Sequence, residues 1–101
     1  MLSYDLFIDG GTRSTAGTIE VTDPATGDPV GRVARGDSSN ADAAIAAASD
    51  AADEWERAPP TDRERALRAV ADRIDADADA IAELLSKATG KCLGTAEGEV
   101  A

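Results

Sequence analysis

The sequence predicts an α/β chain in which short strands come first and helices follow. Three observations carry that reading. Up to Gly36 the apolar residues come in short runs cut by glycine and proline; from Asp37 on they recur every three or four residues; and residues able to cap a helix stand where the period changes.

Leu6-Phe-Ile8 is a short apolar run closed by Asp9-Gly10-Gly11, a strand and its turn. Thr18–Thr22 alternates polar and apolar residues, as a half-buried strand does. Asp23-Pro-Ala-Thr-Gly-Asp-Pro29 has turn chemistry throughout, and Val30–Val33 resumes a strand toward Gly36, which suggests a hairpin. Strands are therefore expected at about 6–8, 18–22 and 30–35.

Asp37, Ser38 or Ser39 can cap a helix with the face Ala41, Ala44, Ile45, Ala48, Ala52 and Trp55, ending before Pro59-Pro60. Thr61-Asp-Arg-Glu64 has the form of a capping box. The face behind it runs Leu67, Val70, Ile74, Ala78, Ile81 and Leu85, with a break expected between Asp75 and Asp79, where short acidic side chains can cap a second start. Gly90 suits the left-handed residue that ends this helix. Helices are thus expected at about 38–57, 62–75 and 78–89, with a further one opening at Leu93 and running over 93–101.

The composition narrows the functional classes. Formal charge is −10, with 13 Asp, 7 Glu, 8 Arg, 2 Lys and no histidine. Such a surface repels nucleic acid and anionic lipid, so neither is an expected partner. Surplus Asp with lysine avoided reads as adaptation to a salt-rich cytoplasm, where a Debye length of about 3 Å screens self-repulsion. Cys92 is the only cysteine and has no internal disulfide partner, which suits a reducing compartment. Met1–Asp5 has no basic n-region, and no apolar stretch approaches the roughly 18 residues of a membrane span. A cytoplasmic location is expected. Leu, Ile, Val and Phe make up only 17 of 101 residues, so the chain should be marginal unless it packs against something else.

No catalytic constellation emerges from the residues. Without histidine there is no Ser-His or Cys-His dyad and no imidazole metal ligand. Cys92 follows a helix C-terminus, where the macrodipole does not activate a thiol, and reads as an ordinary small residue. Thr89-Gly90-Lys91 fails as a phosphate loop, because Leu85 and Cys92 stand where that pattern needs Gly and Ser or Thr. Gly90, Gly94 and Gly98 suggest close packing of a helix on a neighbour; Lys91, Glu97 and Glu99 exclude a membrane setting for it. Asp72, Asp75, Asp77 and Asp79 fall on different helix faces and lack calcium-loop spacing, so a solvated face is expected. Trp55 is expected to be a buried packing anchor. No catalytic, cofactor-binding or metal-ligating residue is expected in this chain.

The whole string nevertheless resembles the start of NAD(P)-dependent aldehyde dehydrogenases. Leu6–Gly10 is similar to their opening strand, and Asp23-Pro-Ala-Thr-Gly27 with Val30–Val33 to their Asn-Pro-Ala-Thr-Gly turn and strand. Ala43–Ala48 leading to Trp55, Arg63–Arg68, Leu84-Leu85, Thr89–Lys91 and Gly98–Val100 continue the match in order. The resemblance implies the N-terminal part of that fold: short antiparallel strands, then three helices packing on a Rossmann-like cofactor domain that is mostly absent from this chain. It implies cysteine attack on an aldehyde, hydride transfer to NAD or NADP, and hydrolysis of the thioester to the acid. The family's catalytic cysteine, general-base glutamate, oxyanion asparagine and glycine-containing fingerprint lie beyond Ala101, so none of this chemistry is expected of the chain alone. Its implied partners are the remainder of the enzyme and, at full length, further copies in a homo-oligomer.

Three residues depart from the family pattern: Asp23 replaces Asn, Cys92 replaces Pro, and Ala88 stands where some members carry an acidic side chain. Those members hold a monovalent cation with that side chain and with backbone carbonyls that correspond here to Val21 and Thr22; Ala88 supplies no carboxylate. The rival reading is a non-catalytic acidic adaptor, or a truncated remnant, that reuses the fold.

Overall fold

The computed structural model describes every residue from Met1 to Ala101. Internal contacts divide the chain into two compact units, Met1–Val21 with Gly31–Ala58 and Thr22–Val30 with Pro59–Ala101.

The first unit is built on five short strands: β1 (Leu2–Tyr4), β2 (Leu6–Ile8), β3 (Gly11–Arg13), β4 (Thr18–Thr22) and β5 (Pro29–Ala34). The last residue of β4 and the first two of β5 fall in the second unit. Two sheets result, one ordered β1-β5-β4 and one pairing β2 with β3. The β2–β3 hairpin places Leu6 opposite Arg13 and Ile8 opposite Gly11. Its turn is Asp9-Gly10, both at positive φ (55° and 75°). That is the type I′ pattern, whose twist matches the strands it joins. The sequence reading treated Gly11 as part of the turn; it is instead the first residue of β3.

The β2–β3 pair is antiparallel, as expected of these strands, while the additional strand β1 is not. This strand, which the sequence reading did not include, lies parallel to β5 with Leu2 opposite Gly31 and Tyr4 opposite Val33. Gly31 makes the approach possible, since a Cβ there would lie 2.8 Å from the Leu2 carbonyl oxygen. β5 and β4 are neighbours joined through residues 23–28. So short a link cannot make the crossover that parallel neighbours require, so the two run antiparallel. Arg32 and Glu20, 3.9 Å apart, face each other across this pair.

Helix α1 (Ser38–Arg57) follows at Asp37, its N-cap. The Asp37 carboxylate accepts the Asn40 N–H at 2.9 Å, and Asn40 Oδ1 accepts the Asp37 N–H at 2.9 Å, a reciprocal capping box with Asn in place of the usual Glu or Gln. The Ser39 hydroxyl donates to the same Asp37 carboxylate at 2.6 Å. These donors, the hydroxyl foremost, hold the Asp37 carboxyl below its ordinary value. A depressed carboxyl stabilises the fold above its unfolded pKa of about 3.9, and the contribution disappears as pH falls through the lower folded value. The Asp37 carboxyl carbon followed by NMR should therefore titrate with a midpoint below about 3.9. Asp37→Ala should fray the first turn of α1 at neutral pH. A midpoint at or above the free-aspartate value would contradict the cap.

In the second unit, residues 23–28 close a tight turn. The Asp23 N–H donates to the Asp28 carbonyl (2.8 Å), the Gly27 N–H to the Asp23 carbonyl (2.7 Å), and the Ala25 N–H to the Asp23 carboxylate (2.8 Å). Three helices follow: α2 (Pro60–Ala76), α3 (Ala78–Thr89) and α4 (Leu93–Val100). Helix α2 starts earlier than the sequence suggests, and the Thr61–Glu64 box does not form. Pro59 is the N-cap and Pro60 the first helical residue. Proline's fixed φ starts the helix there, which puts Thr61 inside the first turn rather than at the cap. The break between α2 and α3 falls at Asp77, whose carboxylate caps nothing; it accepts from Arg73 Nε at 2.6 Å.

Helix α3 packs against α4, and the two most deeply buried residues of the chain stand one on each: Ala82 (1% exposed) and Ala96 (0%). Gly90 ends α3 at φ 77°, ψ 5°, donating its N–H to the Ser86 carbonyl at 2.8 Å. A Cβ on Gly90 would meet Pro24 Cγ at 2.8 Å. Gly90→Ala should therefore cost more than the roughly 1–2 kcal/mol of a left-handed Cβ, because the rigid Pro24 ring must also move. A urea midpoint unchanged by the substitution would show that neither constraint operates.

Candidate functional site

Cys92 lies open to water, and Lys91 and Asp77 are held in ion pairs. Cys92 is exposed and is the N-cap of α4, so the C-terminal setting expected from sequence describes only half of its surroundings. Lys91 Nζ donates to Glu99 Oε1 at 2.6 Å, and the Lys91 carbonyl accepts from the Ser86 hydroxyl at 2.8 Å. The lysine of Thr89-Gly90-Lys91 is therefore committed to a carboxylate and not presented to a phosphate. Of the four aspartates at 72, 75, 77 and 79, Asp77 is paired with Arg73, and the chain gathers no group of three acidic, Cys or His residues that could hold a metal ion. No helix is long and apolar enough to cross a membrane.

Two packing expectations are corrected. Trp55 is 46% exposed rather than buried, because the α1 face that carries it has nothing laid over it; Ile45 on the same helix is more open still. Gly94 and Gly98 approach no neighbour, and α4 meets α3 through Ala96 instead. Only Gly90 of that series makes a close approach, on Pro24. The Gly90–Pro24 contact joins the end of α3 to the turn that follows Thr22; Ala88, two residues before Gly90, brings no carboxylate to it.

Two stretches of apolar surface lie uncovered. In the first unit an open groove of about 420 Å³ lies between β2 and the start of α1, walled mainly by Leu6, Phe7, Ile8, Ala41 and Ala44 together with the polar Asp37 and Asn40. In the second unit Leu67, Val70 and Ile74 of α2 lie on the surface. Arg63, one turn before Leu67, is half-buried, and its Nε is buried without any hydrogen-bond partner. The sequence reading missed this arginine. Its spacing of four, three and four residues to Leu67, Val70 and Ile74 was the available signal.

The model of the aldehyde dehydrogenase family matches residues 12–101. The chain belongs to that family. It is 42% identical over 78 residues to phenylacetaldehyde dehydrogenase of Pseudomonas fluorescens, a stretch covering 75% of this chain and 16% of that one. Among solved structures it is similar to an NAD-dependent aldehyde dehydrogenase from Sinorhizobium meliloti, with 31% identity, a TM-score of 0.91, and coverage of 98% of this chain and 21% of the other. An NADP-dependent glyceraldehyde-3-phosphate dehydrogenase from Bacillus halodurans C-125, complexed with NADP, superposes with a TM-score of 0.93 at 26% identity, covering 99% of this chain and 21% of that one. The chain thus spans about a fifth of the length of these aldehyde dehydrogenase relatives.

Proposed function

We propose that the chain is the N-terminal segment of an NAD(P)-dependent aldehyde dehydrogenase, part of its cofactor-binding domain, that oxidises an aldehyde to a carboxylic acid. The observation that carries the reading is a family match over residues 12–101 combined with coverage of only about a fifth of each relative. The remainder of the enzyme would supply the cysteine, the base and the site for NAD or NADP; the chain alone binds neither cofactor. The acidic surplus supports a salt-rich cytoplasm as its setting, and the complete enzyme would be a homo-oligomer. The relatives named above are dehydrogenases, which gives the adaptor reading no support.

An antibody raised against this chain tests the proposal in the native organism. The captured polypeptide should be about five times the 10.3 kDa of this chain and should reduce NAD(P)+ only when an aldehyde is added. The purified 101-residue chain should give no turnover. A native polypeptide of 10.3 kDa without dehydrogenase activity would overturn the proposal in favour of the adaptor.

A further inference from the structure

Charge is spread unevenly over the two long helices. Helix α1 carries Asp42, Asp50, Asp53, Glu54 and Glu56 against Arg57 alone, whereas α2 carries four arginines against four carboxylates. None of the chain's six ion pairs involves a residue of α1, while three of them begin on arginines of α2. Neither helix fully buries a residue, so what separates them is electrostatic.

The two ends of α1 are also unlike. Its start is fixed by the reciprocal cap between Asp37 and Asn40. Residues 50–57 hold four of its five carboxylates, with Glu54 and Glu56 in the last turn, where the macrodipole is negative. Asp50 stands one turn from Asp53 and Glu54, and Asp53 one turn from Glu56, spacings at which like charges repel. Cβ atoms at those spacings lie roughly 5–6 Å apart. At about 0.1 M salt the Debye length is near 10 Å and leaves the repulsion largely in place; at about 1 M it is near 3 Å and removes most of it. On α2 the same change weakens attractions such as Arg68–Glu64. Salt therefore acts on the local pairs of the two helices with opposite sign.

We infer that residues 50–57 form a salt-controlled helix end. They are helical, as in this structure, in a salt-rich medium, and they lose their helix at a salt concentration that still preserves the start of α1 and α2. The inference concerns the chain's own charges and does not depend on the enzyme reading.

Backbone Cα chemical shifts, read residue by residue as KCl is withdrawn from the 101-residue chain, test the assignment. The helical shift over 50–57 should be halved at a KCl concentration about threefold or more above that which halves it over 60–76. Asp50→Asn, Asp53→Asn and Glu54→Gln together remove charge while keeping size, and should bring the midpoint of 50–57 down to that of α2. A matched variant, Glu64→Gln with Asp72→Asn and Asp75→Asn, removes the same number of carboxylates from α2 and should leave the midpoint of 50–57 where it was. If the two variants shift 50–57 alike, the response belongs to net charge and the assignment falls. It falls also if 50–57 and α2 melt together in the unsubstituted chain, or if 50–57 shows no helical shift in molar KCl. NaCl at equal ionic strength should give the same midpoint; a helix that forms only with K+ would mean a bound cation in place of screening, and would overturn the inference.

Discussion

In dilute buffer the isolated chain should give a weak far-UV helical signal that strengthens clearly in molar KCl. Twenty carboxylates face ten cations, and only Ile8, Ala82 and Ala96 are buried apolar residues. Little apolar burial therefore stands against the self-repulsion. Raising salt from about 0.1 M to 1 M shortens the Debye length from roughly 10 Å to 3 Å and removes most of that repulsion. The same salt weakens ion pairs such as Arg68–Glu64 and Lys87–Glu83, both at 2.9 Å. Those pairs are solvent-exposed and contribute little, so the screening of repulsion wins. With Leu67, Val70 and Trp55 still uncovered, sedimentation at high salt should show dimers or larger species. Circular dichroism against KCl concentration checks the first part. A monodisperse monomer that unfolds cooperatively in low salt would mean that the visible core suffices.

Ala82→Asp should unfold the contact between α3 and α4. Position 82 is 1% exposed and faces the helix that carries Ala96, at 0%. A carboxylate there has neither water nor a cation, and an uncompensated buried charge costs about 3 kcal/mol or more. A core this small has no such margin, so the amide resonances of both helices should collapse toward random-coil shifts. The β2–β3 hairpin, in the other unit, should keep its cross-strand signals. Ala82→Ser, which adds a hydroxyl and no charge, should be far milder. An Ala82→Asp chain with dispersed α3 and α4 resonances would show that Ala82 is not packed.

What the sequence revealed and what it hid follow from the range of the forces involved. The cap at Asp37 and the left-handed stop at Gly90 depend on atoms within a few residues, so residue type alone indicates them. The Thr61–Glu64 box looked equally local, yet Pro60 started the helix first, and two plausible caps cannot both be the cap. The β1–β5 pairing joins residues 29 positions apart and leaves no periodic trace in Leu2–Tyr4. Strand β3, Gly-Thr-Arg, has no apolar alternation and is strand only because the Asp9-Gly10 turn folds it onto β2. Trp55 is expected to be packed because its helix is amphipathic and Gly94 and Gly98 because of their four-residue spacing, but an apolar stripe or a run of small residues says that something should cover it, not what. The spacing of Arg63 to Leu67, Val70 and Ile74 places it on their side of α2, but its missing acceptor has no sequence signature.

The parallel pairing of β1 with β5 also constrains the order of events during synthesis. Leu2–Tyr4 leaves the ribosome ahead of β5 and has no backbone partner until Gly31–Val33 has been made. At roughly 5–20 residues per second, the delay is on the order of seconds. The hairpin closed by Asp9-Gly10 needs only the residues beside it and can form within microseconds of emerging. Through the whole interval the N–H and C=O groups that β1 will pair with β5 stay unsatisfied, an open strand edge.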